Sequence, residues 1–138
     1  MSAAISTLLA FTTLTIGLAV IYVGYRATVG LLGKTPFNSW TRGEQTWDDP
    51  AIITRIHHAH LNCLENLPLF AAVVLAAFML DKLAVVDGLA CYYMVARLAQ
   101  TGVHLVSTSA AAVFLRANAL FVQWAFLGYW ILSLCDCI

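Results

Sequence analysis

Four long apolar segments, separated by polar connections, dominate the pattern of hydrophobic positions along this chain. Each exceeds the roughly 17 residues that an α-helix needs to cross the hydrocarbon core of a bilayer. A segment in lipid must satisfy its own backbone hydrogen bonds, and an α-helix does so without a partner. The pattern therefore predicts four transmembrane helices, over residues of about 3–25, 51–80, 83–106 and 111–134.

The composition supports the bilayer as the solvent of this protein. Hydrophobic residues make up 62% of the chain and charged residues 10%, whereas a soluble domain carries about 25% charged residues. The formal net charge is +0, which leaves no basic surface for nucleic acid. We therefore predict an all-α, integral membrane four-helix bundle that residues 1–138 form as a single domain, without a nucleic-acid partner.

The positive charges indicate how the chain is oriented. Most cations lie at helix ends that face the first and third connections, and Lys82 marks the opposite side; the first group is Arg26, Lys34, Arg42, Arg55 and Arg116. The positive-inside rule places such connections in the cytoplasm. We predict a multi-pass protein with cytoplasmic first and third loops, in the inner membrane of a bacterium or the endoplasmic reticulum of a eukaryote.

Two of the predicted helices carry a stripe of polar residues. Residues three or four apart share one face of a helix, and this spacing connects Arg55, His58, Asn62 and Glu65 in the second helix. The same spacing connects Arg97, Gln100 and His104 in the third helix. Because a short turn makes these helices antiparallel, the two stripes are expected to match in depth.

The matched depths predict three neighbouring pairs: Glu65 with Arg97, Asn62 with Gln100, and His58 with His104. A charged residue at the middle of a bilayer costs roughly 2.5–3.5 kcal/mol, and intramembrane ionisable residues are candidates for function. We therefore expect an ion pair between Glu65 and Arg97. A pair that merely holds the bundle together remains the alternative.

Two further features of the second helix bear on its chemistry. Pro68 removes one helical hydrogen bond beside Glu65, so we expect a kink that opens space there. Three histidines, His57, His58 and His60, invite a metal interpretation. Nothing near them in the sequence completes a ligand set, and we predict no metal site.

The segment "HAHLNCLENLPLF" resembles the second-helix signature of the MAPEG family, the membrane-associated proteins of eicosanoid and glutathione metabolism. That signature reads roughly Arg-Ala-x-x-Asn-x-x-Glu-x-x-Pro-x-Phe, and the residues in register are Ala59, Asn62, Glu65, Pro68 and Phe70. The sequence of this segment is most similar to that of the branch of leukotriene C synthase and the microsomal glutathione transferases. "ARLAQTGVHLV" resembles the third helix of the family, with Arg97 in register.

The resemblance implies a homotrimer that binds glutathione, as co-substrate, between neighbouring subunits in the cytoplasmic half of the membrane. It implies that Asn62 and Glu65 are glutathione ligands and that Arg97 is a deep structural partner. It also implies that Arg26 reaches the site of a neighbouring subunit and that Arg116 is the catalytic residue, which stabilises the thiolate.

The remaining candidates include three departures from the family pattern. His58 stands where the signature has its leading arginine, and His104 stands where the family usually has a tyrosine that binds glutathione. Gln100 occupies a further position of an aromatic residue or histidine. We keep all three as binding candidates, and Arg55 with them as a cation for the carboxylates of glutathione.

Three functions stay open at this point. The first is a glutathione-dependent transferase or peroxidase that acts on a lipophilic electrophile. The second is a non-catalytic, lipid-binding or scaffold protein, similar to the family's lipoxygenase-activating protein, or an accessory subunit with a hetero-partner in a larger membrane complex. The third is a proton or ion pathway along the polar stripes.

Overall fold

The computed structural model describes residues 1–41 and 44–137. Four α-helices account for most of the chain: α1 (Ala3–Leu31), α2 (Ala51–Met79), α3 (Leu83–Val106) and α4 (Ala110–Leu134). The prediction of an all-α four-helix bundle is confirmed. The helices lie where the apolar segments predicted them, except that α1 continues past Tyr25 to Leu31.

The connections between the helices differ in length. The first loop contains a 3₁₀ turn (Phe37–Ser39) and two short antiparallel strands, β1 (Trp40–Thr41) and β2 (Glu44–Gln45). Arg42, one of the cations of the predicted orientation, lies outside the described residues. The connection between α2 and α3 is a tight turn, in which Asp81 has a positive φ of 55° and the N–H of Lys82 donates to the Ala77 carbonyl at 2.8 Å.

The first loop packs closely on the end of α1. A Cβ atom at Gly30 would lie 2.6 Å from a ring atom of Phe37, so a larger residue here would have to displace that ring. Gly33, with a φ of 67°, then lets the chain leave the helix. The long first loop is therefore a folded cap on one end of the bundle.

Three of the helices, α1, α2 and α4, are long and apolar enough to cross a membrane by length and composition. Helix α3 has 24 residues and is also long enough, since a helix rises about 1.5 Å per residue and the hydrocarbon core is about 30 Å thick. Its apolar character is lowered by the polar residues Asp87, Arg97, Gln100 and His104. These include the whole predicted stripe of the third helix.

The helices pack as two close pairs, α1 with α2 and α3 with α4, and α3 also contacts α1 and α2. In the half of the bundle away from the first loop, four wholly buried aromatic residues fill the space between the helices: Phe11, Phe70, Tyr93 and Trp130. The rings of Phe70 and Tyr93 stack at 4.3 Å, and those of Tyr93 and Trp130 lie 5.7 Å apart. We call these four residues the aromatic cluster.

Candidate functional site

A cavity of about 400 Å³ opens between α2, α3 and α4 in the half of the bundle next to the first loop. Its polar lining brings together five of the residues that the sequence singled out, namely His58, Asn62, Gln100, His104 and Arg116. The rest of the lining is apolar and comes from α4: Val113, Ala117 and Leu120. No carboxylate lines this cavity among the described residues, and we call it the polar cavity.

The two histidines of the polar cavity face each other across α2 and α3. The ring centroids of His58 and His104 are 6.4 Å apart, which confirms the depth match predicted for this pair. Arg116 enters from the first turns of α4 and is half-buried. It forms no ion pair with any side chain that the structure describes, so no described acidic side chain neutralises its charge.

Arg97 lies directly beneath the polar cavity and is completely buried. Its Nη1 donates to the Oδ1 of Asn62 at 2.7 Å, and its guanidinium carbon lies 4.8 Å from the ring centroid of Phe11. Its Nε and Nη2 have no hydrogen-bond partner in the part of the chain that the structure describes. Arg97 thus separates the aromatic cluster from the cavity and reaches the cavity only through Asn62.

The predicted ion pair between Glu65 and Arg97 is wrong within the single chain. The two ion pairs among the described residues involve other side chains, and Glu65 is exposed. The reason is the angular position on α2: Glu65 follows the buried Cys63 by two residues, which is about 200° around a helix. Arg97 lies close to Cys63 and donates to Asn62, and Glu65 lies beyond Asn62 around the helix, on the exposed side of α2. The prediction failed in the direction that it assigned to the Glu65 side chain.

Arg26 does not line the polar cavity. Its Nε and Nη2 donate to one carboxylate oxygen of Asp49 at 3.0 and 2.6 Å, and the Asp49 side chain is completely buried. The indole N–H of Trp40 donates to the other oxygen at 3.0 Å. Arg26 therefore fastens the first loop to α1, a role that requires the folded loop and that no sequence spacing indicated.

The other candidates near the start of α2 also lie outside the cavity. The rings of His57 and His60 pack on Tyr22 of α1 at 4.6 and 5.4 Å, and His60 Nδ1 lies 3.0 Å from the Thr15 carbonyl oxygen. Arg55 is half-buried and does not line the cavity. The three histidines of α2 consequently face different surroundings. Helix α2 itself is continuous through Pro68, which is exposed.

One residue next to the cavity was not predicted from the sequence as part of the site. Gln123 of α4 is completely buried, and its Nε2 donates to the Oε1 of Gln100 and to the Ala119 carbonyl, both at 2.9 Å. A lone amide within the apolar run "ALFVQWAFLGYW" was the available signal, because a polar side chain in such a segment needs a partner inside the bundle.

The sequence profile of the MAPEG family matches residues 2–135, nearly the whole chain. The chain belongs to the MAPEG family. This confirms the resemblance at the level of the family and, with the apolar helices, establishes an integral membrane helical bundle. A comparison with curated proteins gave no match. Membership gives this MAPEG protein a function related in general terms to the membrane glutathione transferases, while its branch within the family stays a prediction.

Proposed function

We propose that this protein is a glutathione-dependent membrane transferase or peroxidase that acts on lipophilic electrophiles. The observation that carries the proposal is the polar cavity, in which Arg116 stands beside two amides and two histidines without an acidic neighbour in the lining. Glutathione is the co-substrate in this proposal, and Arg116 is the catalytic residue.

The reaction needs a thiolate, and Arg116 is suited to stabilise one. A free thiol has a pKa of about 8.5, and the thiolate is the nucleophile. A guanidinium group in a low-dielectric site favours the charged form of a nearby thiol. In conjugation, the sulfur forms a bond to the electrophilic carbon, and the leaving group departs with its electron pair. The cation lowers the barrier by stabilising the reacting sulfur.

The apolar wall of the polar cavity suits a lipophilic second substrate. Val113, Ala117 and Leu120 lie on α4 beside Arg116, so an electrophile that enters from the lipid would meet apolar side chains next to the proposed position of the sulfur. The polar wall on α2 and α3 would hold glutathione. We place this end of the bundle in the cytoplasm, as the positive charges predict.

The exposed position of Glu65 supports a homotrimer. Glu65 lies near the middle of α2 and is exposed in the single chain, and a charged residue at that depth costs roughly 2.5–3.5 kcal/mol when it faces lipid. A neighbouring subunit would cover this face, and Glu65 would then bind the ammonium group of glutathione at the subunit interface. Arg26 stays a ligand that the resemblance implies, and Arg55 stays a predicted cation for the carboxylates of glutathione. A stable monomer in native mass spectrometry would contradict this assembly.

The decisive experiment compares the wild type with Arg116→Leu in the conjugation of chlorodinitrobenzene. We expect turnover to fall by about 100-fold or more, the size of effect seen when one transition-state donor is removed, while glutathione affinity from calorimetry falls much less. Lys34→Met is the matched control, since Lys34 is an exposed cation at the same end of the bundle. Full turnover in Arg116→Leu would overturn the role of Arg116.

A non-catalytic binding or scaffold function is the second candidate, and one observation favours it. His104, at the position where the family usually has a tyrosine, faces His58 across the cavity, so the site differs from the expected glutathione site at a contact position. A wild type that binds glutathione or a lipid, but neither conjugates electrophiles nor reduces hydroperoxides, would support this function. An accessory subunit would in addition copurify with a partner chain.

The ion-pathway alternative loses support from the packing beyond Arg97. The aromatic cluster occupies the bundle there, and all four of its residues are completely buried. Between Arg97 and the far end, no polar track continues along the described helix interior. A conduction function would require such a track.

A further inference from the structure

The orientation of the Gln100 amide in the polar cavity follows from a backbone carbonyl in α4. The Ala119 carbonyl only accepts hydrogen bonds, so the atom of Gln123 that lies 2.9 Å from it must be the donor Nε2. The same NH₂ group lies 2.9 Å from Gln100, and the facing atom of Gln100 must then be its acceptor Oε1. The NH₂ group of Gln100 is left for the cavity.

The Asn62 amide is oriented by the same logic from the other side. A guanidinium group has donors and no acceptor, so the contact of 2.7 Å from Arg97 Nη1 must engage the Oδ1 of Asn62. The NH₂ group of Asn62 is then left over. Neither this group nor that of Gln100 donates a hydrogen bond to another described residue.

The polar cavity consequently presents hydrogen-bond donors to a ligand. The Asn62 oxygen accepts from Arg97 and the Gln100 oxygen accepts from Gln123. Arg116 has only donors, and no carboxylate lines the cavity within the described chain. Amide N–H donors that converge with a cation, in a lining without a carboxylate, favour an anion, and each histidine can turn a ring N–H toward it.

We propose that Gln123 is a positioning residue that holds Gln100 as a donor and so makes the polar cavity specific for an anionic group, a thiolate or a carboxylate. The identity of this anion as a group of glutathione rests on the proposed function. The donor arrangement itself does not depend on the proposed function, because it follows from the hydrogen bonds of the folded chain.

Packing alone does not account for an amide at position 123. Gln123 is completely buried, and its Oε1 has no hydrogen-bond partner among the described residues. A buried acceptor without a partner is unfavourable, and methionine would fill a similar volume without burying an unpaired acceptor. What the amide adds is the donor for Gln100.

The test is a double-mutant cycle with Gln100→Met, Gln123→Met and the double variant, in which the dissociation constants of glutathione and of thiosulfate, a small sulfur dianion, are measured by calorimetry. We expect Gln100→Met to weaken both probes about tenfold, as for one lost hydrogen bond to a charged group. Gln123→Met should weaken them about threefold, because Gln100 must then be ordered by the ligand.

The double variant decides between positioning and a general structural effect. If Gln123 acts through Gln100, the double variant binds both probes as weakly as Gln100→Met and no more weakly. Asn66→Leu is the control: Asn66 is a buried amide that accepts from Trp124 Nε1 at 3.3 Å and does not line the cavity, so its loss should lower thermal stability and leave both affinities unchanged.

Every outcome bears on the inference. The inference would be overturned if the losses of affinity in Gln100→Met and Gln123→Met multiply in the double variant, or if Gln123→Met leaves the affinity unchanged. An equal loss in Asn66→Leu, or a wild type that binds neither probe, would also overturn it. A wild type that binds thiosulfate with the expected cycle, but does not bind glutathione, would support the inference and overturn the proposed function.

Discussion

The two halves of the bundle differ in what fills the space between the helices. Away from the first loop, the aromatic cluster packs four wholly buried rings against one another. Next to the first loop, the same helices α2, α3 and α4 leave a cavity of about 400 Å³ with a polar wall. Arg97 lies at the boundary, with its guanidinium group over Phe11 and its Nη1 on Asn62.

The difference indicates a division of roles along the bundle. A packed aromatic interior resists substitution and fixes the positions of the helices. The polar half depends on that fixed frame, because amides and cations bind a ligand only when their directions are set in advance. Variants in the two halves should therefore affect different properties of the protein.

The largest expected effect lies in the aromatic cluster. Trp130→Ala removes a wholly buried ring and should lower the free energy of unfolding by about 3–5 kcal/mol, while glutathione affinity of the folded fraction changes little. Trp124→Ala, in the same helix but 48% exposed, is the matched control with a smaller loss. Denaturant unfolding in detergent measures both. A loss of ligand-binding free energy in Trp130→Ala as large as its loss of stability would contradict the division of roles between the two halves.

A smaller effect should follow at the other end, where Arg26 holds the first loop. Asp49→Asn weakens charge-assisted hydrogen bonds and should lower stability by about 2 kcal/mol, and Arg26→Met should do the same. Thermal unfolding and the rate of proteolysis within the first loop report this change. We expect Asp49→Asn to retain glutathione affinity. A loss of affinity in Arg26→Met alone would show that Arg26 also contacts the ligand.

The smallest expected effect concerns the coupling of Glu65 and Arg97. Because Glu65 is exposed on α2 and the buried Arg97 of α3 donates to Asn62 instead, Glu65→Gln and Arg97→Met should add within about 0.5 kcal/mol in the double variant. Unfolding of the two single variants and the double variant gives the coupling energy. A coupling of several kcal/mol would mean that the side chains meet, as the sequence had predicted, and would require a different direction for one of them.

Most of the fold could be predicted from the sequence because hydropathy and helical periodicity act locally. Helices α2, α3 and α4 lie close to their predicted bounds, since each ends at a polar turn. The end of α1 was missed because Arg26 was interpreted as the helix terminus. The helix in fact continues to Leu31, with Arg26 held by Asp49 from the loop.

The site was predictable in depth but not in direction. Matching the stripes of α2 and α3 correctly placed His58 opposite His104, because depth depends only on distance from the turn. The partner of Arg97 depends on how far each helix is rotated about its axis, which packing decides, so Asn62 and not Glu65 accepts its hydrogen bond. Gln123 was missed because its role arises from contact between α3 and α4.

The ultraviolet absorption of the thiolate tests most directly our proposal that Arg116 stabilises a glutathione thiolate in the polar cavity. At neutral pH, binding to the wild type should convert glutathione to the thiolate and release a proton. Arg116→Leu should bind glutathione without this absorption, and Lys34→Met should behave as the wild type. An equal thiolate signal in Arg116→Leu, at the same occupancy, would contradict the account.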